Sequence, residues 1–302
     1  MDDGSRDETA EILGTWAERD ARVRVRSQPA LGIVAALNAG LRAARAPLVA
    51  RMDADDEMHP ERLGAQAERL AAEPGLALVG CLVESFRDGG LLDGYRLYTE
   101  WLNGLVEPAE IAREAFIECP VPHPTWMLCR DVVLGLGGYR ERGWPEDLDL
   151  LYRLFAAGHG VAKVPRQLHR WRDHDARLSR VDPRYGRESF ARAKAHWIGR
   201  LHPMPAAVVW GAGRTGRRFV RLLADEGLTT DALIDIRPER IGTRWRGIPI
   251  VSPASLAERT PAWRERGLRV LAAVASRGAR PEIRHALVDA GLAEGEDFWM
   301  VA

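Results

Sequence analysis

Residues 47–58 read PLVARMDADDEM. Leu48, Val49 and Ala50 form a short apolar run of strand character, and the chain then passes into an acidic loop. Asp53, Asp55 and Asp56 fall within four residues. Packed so closely, three carboxylates repel one another unless water or a cation compensates them. Hard divalent ions such as Mg²⁺ or Mn²⁺ take oxygen ligands, commonly one or two carboxylates together with substrate phosphates. The plain alternative is an exposed acidic turn that opens the next helix, favoured by the helix dipole.

The flanking segments alternate between strand and helix. Upstream, Asp2-Asp3-Gly4-Ser5 is an acidic turn of the kind that follows a buried strand. Ser5 and Glu8 have the spacing of a capping box, and Ile12, Leu13 and Trp16 recur at helical spacing. VRVRSQP (23–29) alternates as a strand with one wet face, and GIVAALNAGLRAA (32–44) reads as a small-residue helix. Downstream, Pro60 suits the first turn of a helix that stops before Pro74-Gly75. LALVGCLVESF (76–86) is a β-prone apolar run. This alternation predicts an α/β layered fold with a largely parallel sheet. In such sheets ligands lie beyond the carboxyl ends of the strands, where the MDADD loop falls.

Composition narrows the field. The chain has 302 residues, 46% of them hydrophobic, enough for two domains of ordinary size. Lys+Arg and Asp+Glu are equal at 43 each, which gives no reason to expect nucleic acid as a partner. Cys81, Cys119 and Cys129 form no CxxC pair, and an odd number of thiols suits a reduced, cytoplasmic setting. No apolar run approaches the length of a membrane span.

Taken in order, ALNAG (36–40), ARMDADD (50–56), HPERL (59–63) and VGCLVESFRDGG (79–90) resemble the family 2 glycosyltransferases of the GT-A fold. HPTWMLCRDVVLGLGGYRE (123–141), PEDLDLLYRLFAAGHGVAKVP (145–165) and HRWRDHDARLS (169–179) continue the resemblance. It implies an inverting, metal-dependent transfer from a UDP- or GDP-linked sugar to a glycan or lipid-linked acceptor, in surface polysaccharide or glycoconjugate synthesis. By matching position, Asp3 is the nucleobase contact with Asp2 beside it, Asp53 faces the ribose or metal, and Asp55 is the principal metal ligand, the ion being Mg²⁺ or Mn²⁺. Asp147 is the general base, flanked by Glu146, and His174 reaches the metal or diphosphate. Asp56 is expected to order the loop. The family has a strand, helix and strand before DDGS, so a βαβ unit of roughly 30 residues is expected to be absent from this chain, leaving the fold N-terminally truncated.

Each of these positions has a structural alternative. Glu146 and Asp147 suit the first turn of a helix whose Leu148, Leu151, Leu154 and Phe155 form a core face. His174, between Asp173 and Asp175, suits a solvated surface. His123 between two prolines is expected to shape a rigid loop, and Trp144 to stack on a sugar or pack in the core. PRYGRESFARAKAHWIGR (183–200) is a basic helix that suits either peripheral contact with the inner membrane face or a solvated bridge between domains.

LHPMPAA (201–207) reads as a linker, dividing the chain into a GT-A domain at 1–204 and a second domain at 205–302. In the latter, AAVVWGAGRTGRRFVRLLADEG (206–227) is strand, glycine turn and helix. Gly211, Gly213 and Gly216 make GxGxxG in the context that motif requires, and a second strand ends at Asp235. With the strand LRVLAAVAS (268–276) this is a small Rossmann-like α/β unit and a candidate nucleotide site. It resembles the N-terminal domain of sugar O-acyltransferases, including GIPIVSP (247–253). Two other functions fit parts of the sequence: a non-catalytic sugar-nucleotide-binding scaffold, and a dinucleotide-dependent oxidoreductase built on the glycine motif.

Overall fold

The computed structural model describes residues 1–302, which separate into two compact units. The first comprises 1–104 and 121–174, the second 105–120 and 175–302. The sequence division at 204/205 assigns the helix Arg187–Leu201 to the first domain; by packing it belongs to the second unit. Lys194 on that helix is buried and donates to the carbonyls of Ile117 (2.7 Å) and Val301 (3.1 Å). Trp197 is buried beside it. No helix is long and apolar enough to cross a membrane.

In the first unit the strands are β1 (Leu48–Ala50), β2 (Glu57–Met58), β3 (Leu76–Phe86), β4 (Met127–Cys129) and β5 (Gly160–Arg172). They lie in the order β1-β4-β3-β5-β2. β3 and β5 are parallel, whereas β1/β4, β3/β4 and β2/β5 are antiparallel. The sheet is therefore mixed, not largely parallel. The α/β class is as the sequence predicts; the direction of the connections depends on which strands meet, and local pattern does not encode that.

β3 is the spine. Leu78, Val79, Cys81 and Val83 are fully buried, and the helix Arg62–Ala72 packs on the sheet through Leu70. Its polar residues Arg62 and Gln66 are buried as well. Gln66 Nε2 donates to the carbonyls of Val79 (2.7 Å) and Thr125 (2.6 Å), so the polar groups inside this layer have partners. Burial of Cys81 pushes its thiol up to about 11, which makes it a packing group and not a nucleophile.

Two local expectations near the N-terminal turn fail. Residues 23–28 do not form a strand: only Ser27 is paired, in an isolated parallel bridge with Asp2. A ladder needs a neighbour over several residues, and here Asp2 alone pairs, its amide donating to the Arg26 carbonyl (2.8 Å) and its carbonyl accepting from the Gln28 amide (3.0 Å). The helix starts at Thr9 with Glu8 at its cap position and no side-chain cap, three residues beyond Ser5, whose amide donates to Asp2 Oδ1 at 3.0 Å.

The second unit contains β6 (Ala207–Trp210), β7 (Thr230–Ile234), β8 (Arg244–Trp245), β9 (Ile248–Val251), β10 (Arg269–Ala272) and β11 (Phe298–Met300). Their order is β11-β10-β6-β7-β9-β8, parallel throughout except for β8 against β9. From β6 the chain runs outward to β7 and then to the β8–β9 hairpin, whose β9 lies beside β7, and it resumes at β10 and β11 on the other side, the doubly wound pattern with a switch point at β6. Arg246 and Gly247 join β8 to β9, both at positive φ (51° and 81°), as a tight two-residue hairpin demands. The short outer strands β8, β9 and β11 escape the sequence reading, since two to four residues carry little periodicity.

Gly80 in β3 tests this packing. A Cβ there would lie 2.3 Å from Val121 Cγ1 and 3.0 Å from Thr125 Oγ1. Gly80→Ala should therefore destabilise the first unit by about 1–3 kcal/mol. Gly64→Ala, on the helix Arg62–Ala72 with nothing within 4 Å, should stabilise it by about 0.4–1 kcal/mol. Urea denaturation of the two variants measures both.

Candidate active site

β1 pairs antiparallel with β4, placing Ala50 opposite Met127. The Arg51 amide extends the pairing by donating to the Trp126 carbonyl at 2.8 Å. This register sets the loop 51–56 beside the turn His123–Thr125 that precedes β4. Two segments more than sixty residues apart in the chain are thereby brought together.

The carboxylates of Asp53, Asp55 and Asp56 offer oxygens within 4.8 Å of one another, but their surroundings differ. Asp56 is buried, its Oδ2 2.9 Å from His169 Nε2 and its Oδ1 accepting from the Arg172 amide at 2.8 Å. His169 Nδ1 in turn lies 2.8 Å from Arg62 Nη1. A guanidinium can only donate, so Nδ1 must be the acceptor and the ring proton sits on Nε2, directed at Asp56. Asp56 is thus engaged in holding the loop against β5. Asp53 pairs with Arg51 Nη2 at 2.6 Å. Asp55 is exposed, and its Oδ2 lies 2.9 Å from His174 Nε2. The structure therefore brings His174 to Asp55, with one ring nitrogen and two partly exposed carboxylates, Asp53 and Asp55, facing the same corner.

Glu146 and Asp147 open the helix Glu146–Ala156 after Pro145, while Leu148, Leu151 and Leu154 are fully buried. The structural alternative therefore holds in both its parts: the acids occupy a first turn and the leucines form a core face. The Glu146 side chain is 1% exposed and that of Asp147 15%. Asp147 is the one of the two that solvent or an acceptor can reach. His123 Nδ1 lies 3.7 Å from Glu146 Oε1 and 4.0 Å from Asp147 Oδ2, and its Nε2 is 3.1 Å from the Tyr139 hydroxyl. Burial, aided by the charge of Arg51, holds His123 well below its ordinary 6.5. The same burial raises Tyr139. His123 is thus a neutral, buried brace between Tyr139 and the acid pair, which adds to its expected role in a rigid loop. Trp144 is buried and its Nε1 donates to Asp149 at 3.2 Å, with Arg153 on the other carboxylate oxygen at 2.8 Å. Of its two expected places, it takes the core.

At the N-terminal turn, Asp2 is buried and bridged to Ser27. Asp3 accepts from Gln28 Nε2 (2.6 Å) and from the amides of Leu31 (3.0 Å) and Gly32 (2.8 Å). These bonds, Gln28 first, hold its carboxyl below the usual range. Its oxygens thus order loop 28–32, ahead of the helix Ile33–Ala43. Asn38 on that helix clamps the Gly138–Tyr139 backbone with two 2.9 Å hydrogen bonds to Tyr139. Gly138 sits at φ 67°, and a Cβ there would be 2.3 Å from Asn38 Oδ1. Tyr139 then reaches His123, so the turn at Asp3 and the acids at 146–147 share one chain of contacts.

Two residues escaped the sequence reading. His169 alternates with the outward arginines Arg170 and Arg172, a signal that it faces inward. Arg51 precedes three acids, and opposite charge was the clue to its pairing. Its Nη1 is buried and makes no hydrogen bond.

Residues 1–135 match the family model "Glycosyl transferase family 2". This segment belongs to that family. Amylovoran biosynthesis glycosyltransferase AmsE of Erwinia amylovora is 32% identical over 165 residues, covering 54% of this chain and 59% of that protein. The uncharacterized glycosyltransferase EpsJ of Bacillus subtilis (strain 168) is 37% identical over 84 residues, 27% of this chain and 23% of that protein. The chain therefore spans about three-fifths of AmsE and less of EpsJ. Among solved structures, the mannosyltransferase PcManGT from Pyrobaculum calidifontis, in complex with GDP-Man and Mn²⁺, is 19% identical with a TM-score of 0.43, covering 66% of this chain and 52% of that one.

The buried His123 makes the first unit sensitive to acid. Its folded pKa lies below 6.5, so as pH falls through about 6.5 the unfolded chain takes up a proton that the folded one refuses. Stability present above that pH is then lost with a slope approaching about 1.4 kcal/mol per pH unit. Burial depresses His202, in the second unit, to about 4, so the measurement is a comparison. His123→Gln should flatten the pH dependence of urea unfolding of the first unit relative to wild type.

Proposed function

We propose that the first unit is an inverting, metal-dependent glycosyltransferase that moves a sugar from a nucleotide-diphosphate donor to an acceptor hydroxyl. What carries this reading is the Asp55–His174 contact, which joins Asp55, inside the segment matched by the family 2 model, to His174, 119 residues further on and beyond that segment. The donor set fits a hard divalent ion: Asp55 and Asp53 offer oxygens, His174 a ring nitrogen, and Asp55 and His174 are both partly exposed. Asp56 is left out of that set because His169 and the Arg172 amide occupy it. When bound, such an ion supplies Lewis-acid neutralisation of the charge that develops on a departing diphosphate.

The remaining chemistry falls to the chain itself. A sugar hydroxyl is a poor nucleophile, so a positioned carboxylate must remove its proton as the new bond forms. Asp147 is the accessible acid of its pair, and the neutral His123 imposes no positive charge on it. Arg51, on the charged loop and close enough to affect His123, keeps Asp53 oriented and contributes an unused donor at the same corner. Asp2 and Asp3 order the turn where the nucleoside of a UDP- or GDP-linked donor would lie; for Asp3 to touch the base, it would have to share or exchange a loop hydrogen bond. The similarity to AmsE favours a polysaccharide or lipid-linked glycan as acceptor.

Two variants separate these roles. Asp147→Asn should lower kcat by about 10²–10⁴-fold while sugar-nucleotide binding, measured calorimetrically, stays near wild type. An equal loss of donor affinity would remove Asp147 from the role of base. Asp55→Asn should weaken donor binding in Mn²⁺ and abolish its dependence on the ion. A variant that binds donor normally and retains ordinary metal dependence would overturn the assignment.

A further inference from the structure

The second unit has its own cleft at the carboxyl ends of β6, β7 and β10, where the strand order switches. Its volume is about 630 Å³, and its walls include Gly211, Gly213, Thr215, Asp235 and Arg237. An adjoining hollow of about 430 Å³ shares Gly213, Arg214 and Arg240 with it and adds Arg217, Trp245 and Arg246.

The three glycines of the turn are not there for one reason. Gly211 has φ 126°, and a Cβ on it would lie 2.9 Å from the Ala273 carbonyl. A Cβ on Gly216 would lie 1.7 Å from the Gly211 carbonyl. Both are demanded by the protein's own packing. Gly213 is different: its φ is −84°, open to any residue, and the nearest atom to a Cβ is Arg240 Nη1 at 3.7 Å. Nothing in the fold requires glycine there. A side chain at that position would enter the space shared by the two hollows, directly before the helix Arg214–Asp225. Absence of a Cβ leaves room for another molecule to approach the backbone, and the helix start favours a negative one.

Charge points the same way. The two hollows are lined by Arg214, Arg217, Arg221, Arg237, Arg240 and Arg246, against two acids, Asp235 and Glu282. Asp235 is not free to serve a ribose in the manner its position suggests. It already accepts from the Ala212 amide (3.0 Å), the Arg237 amide (2.9 Å) and Arg240 (2.9 Å), bracing the glycine turn. Arg217 and Arg246 lie over the Trp245 ring at 5.4 and 5.3 Å, which stiffens two of the cations, and the buried Arg217 Nε has no hydrogen-bond partner. Fixed guanidiniums around a phosphate-sized approach to the backbone suit a diphosphate with no bridging cation.

We propose that this cleft binds the nucleoside-diphosphate moiety of a sugar nucleotide or a dinucleotide, and that its arginines, not a metal ion, neutralise the diphosphate. This second site does not depend on the aspartate loop of the first unit. The test is calorimetric titration of the full chain in EDTA with UDP-glucose, GDP-mannose, NADH, NADPH and inorganic pyrophosphate. At least one nucleotide should bind saturably, equally well to wild type and Asp55→Asn. Gly213→Val and Arg214→Glu should each weaken that binding by about tenfold or more, without changing thermal melting or Mn²⁺-dependent sugar-nucleotide binding. Gly213→Val serves because the fold has room for it. Which nucleotide binds most tightly separates a sugar-nucleotide source from a dinucleotide one. The proposal is overturned if no nucleotide binds in EDTA, if Asp55→Asn removes the binding while Gly213→Val leaves it intact, or if pyrophosphate alone binds as tightly as every nucleotide.

Discussion

The buried line from Arg62 through His169 to Asp56 is the constraint on which the candidate site depends. A guanidinium, an imidazole and a carboxylate occupy almost wholly buried positions, and each is satisfied by the next. Removing any one would strand a polar partner in a low-dielectric interior, which makes the arrangement cooperative. Its consequence is positional. With Asp56 held down onto β5, the preceding residues of the loop are presented outward, and Asp55 meets His174 just beyond the end of the same strand. One aspartate of the three is spent on structure so that the other two face solvent.

A parallel division of labour runs through the rest of the first unit. Glu146 is buried and Asp147 is accessible, although they are adjacent and chemically alike. His123 stands against both as an uncharged brace, held there by burial and by Arg51. Neighbouring acids acquire different capacities because the helix they open turns one inward and the other toward solvent. Arg51 connects the two halves of the corner, since it pairs with Asp53 and its charge bears on His123.

On the proposed readings, the two units would meet anions by different means. In the first, carboxylates and a histidine make a set that suits a divalent cation between protein and phosphate. In the second, guanidiniums line a glycine turn and could meet a phosphate directly. Both solutions lie at the ends of strands, where backbone groups and loop side chains converge.

Local order was largely readable from the residues. The helices at 33–43, 62–72 and 146–156, the long strand at 76–86 and the strand-turn-helix at 207–225 follow from apolar spacing, proline and glycine, which act over a few residues. The acidic loop and its family were legible for the same reason, as contiguous motifs. Tertiary structure alone decided what each acid does. Sheet direction, the β1–β4 register that sets Arg51 beside His123, the capture of Asp56 by His169 and the engagement of Asp235 by Ala212 and Arg240 all join residues distant in the chain or hidden by burial. A sequence states which groups are present; their charge state, exposure and partners arise only when packing removes water and brings remote segments within hydrogen-bonding distance.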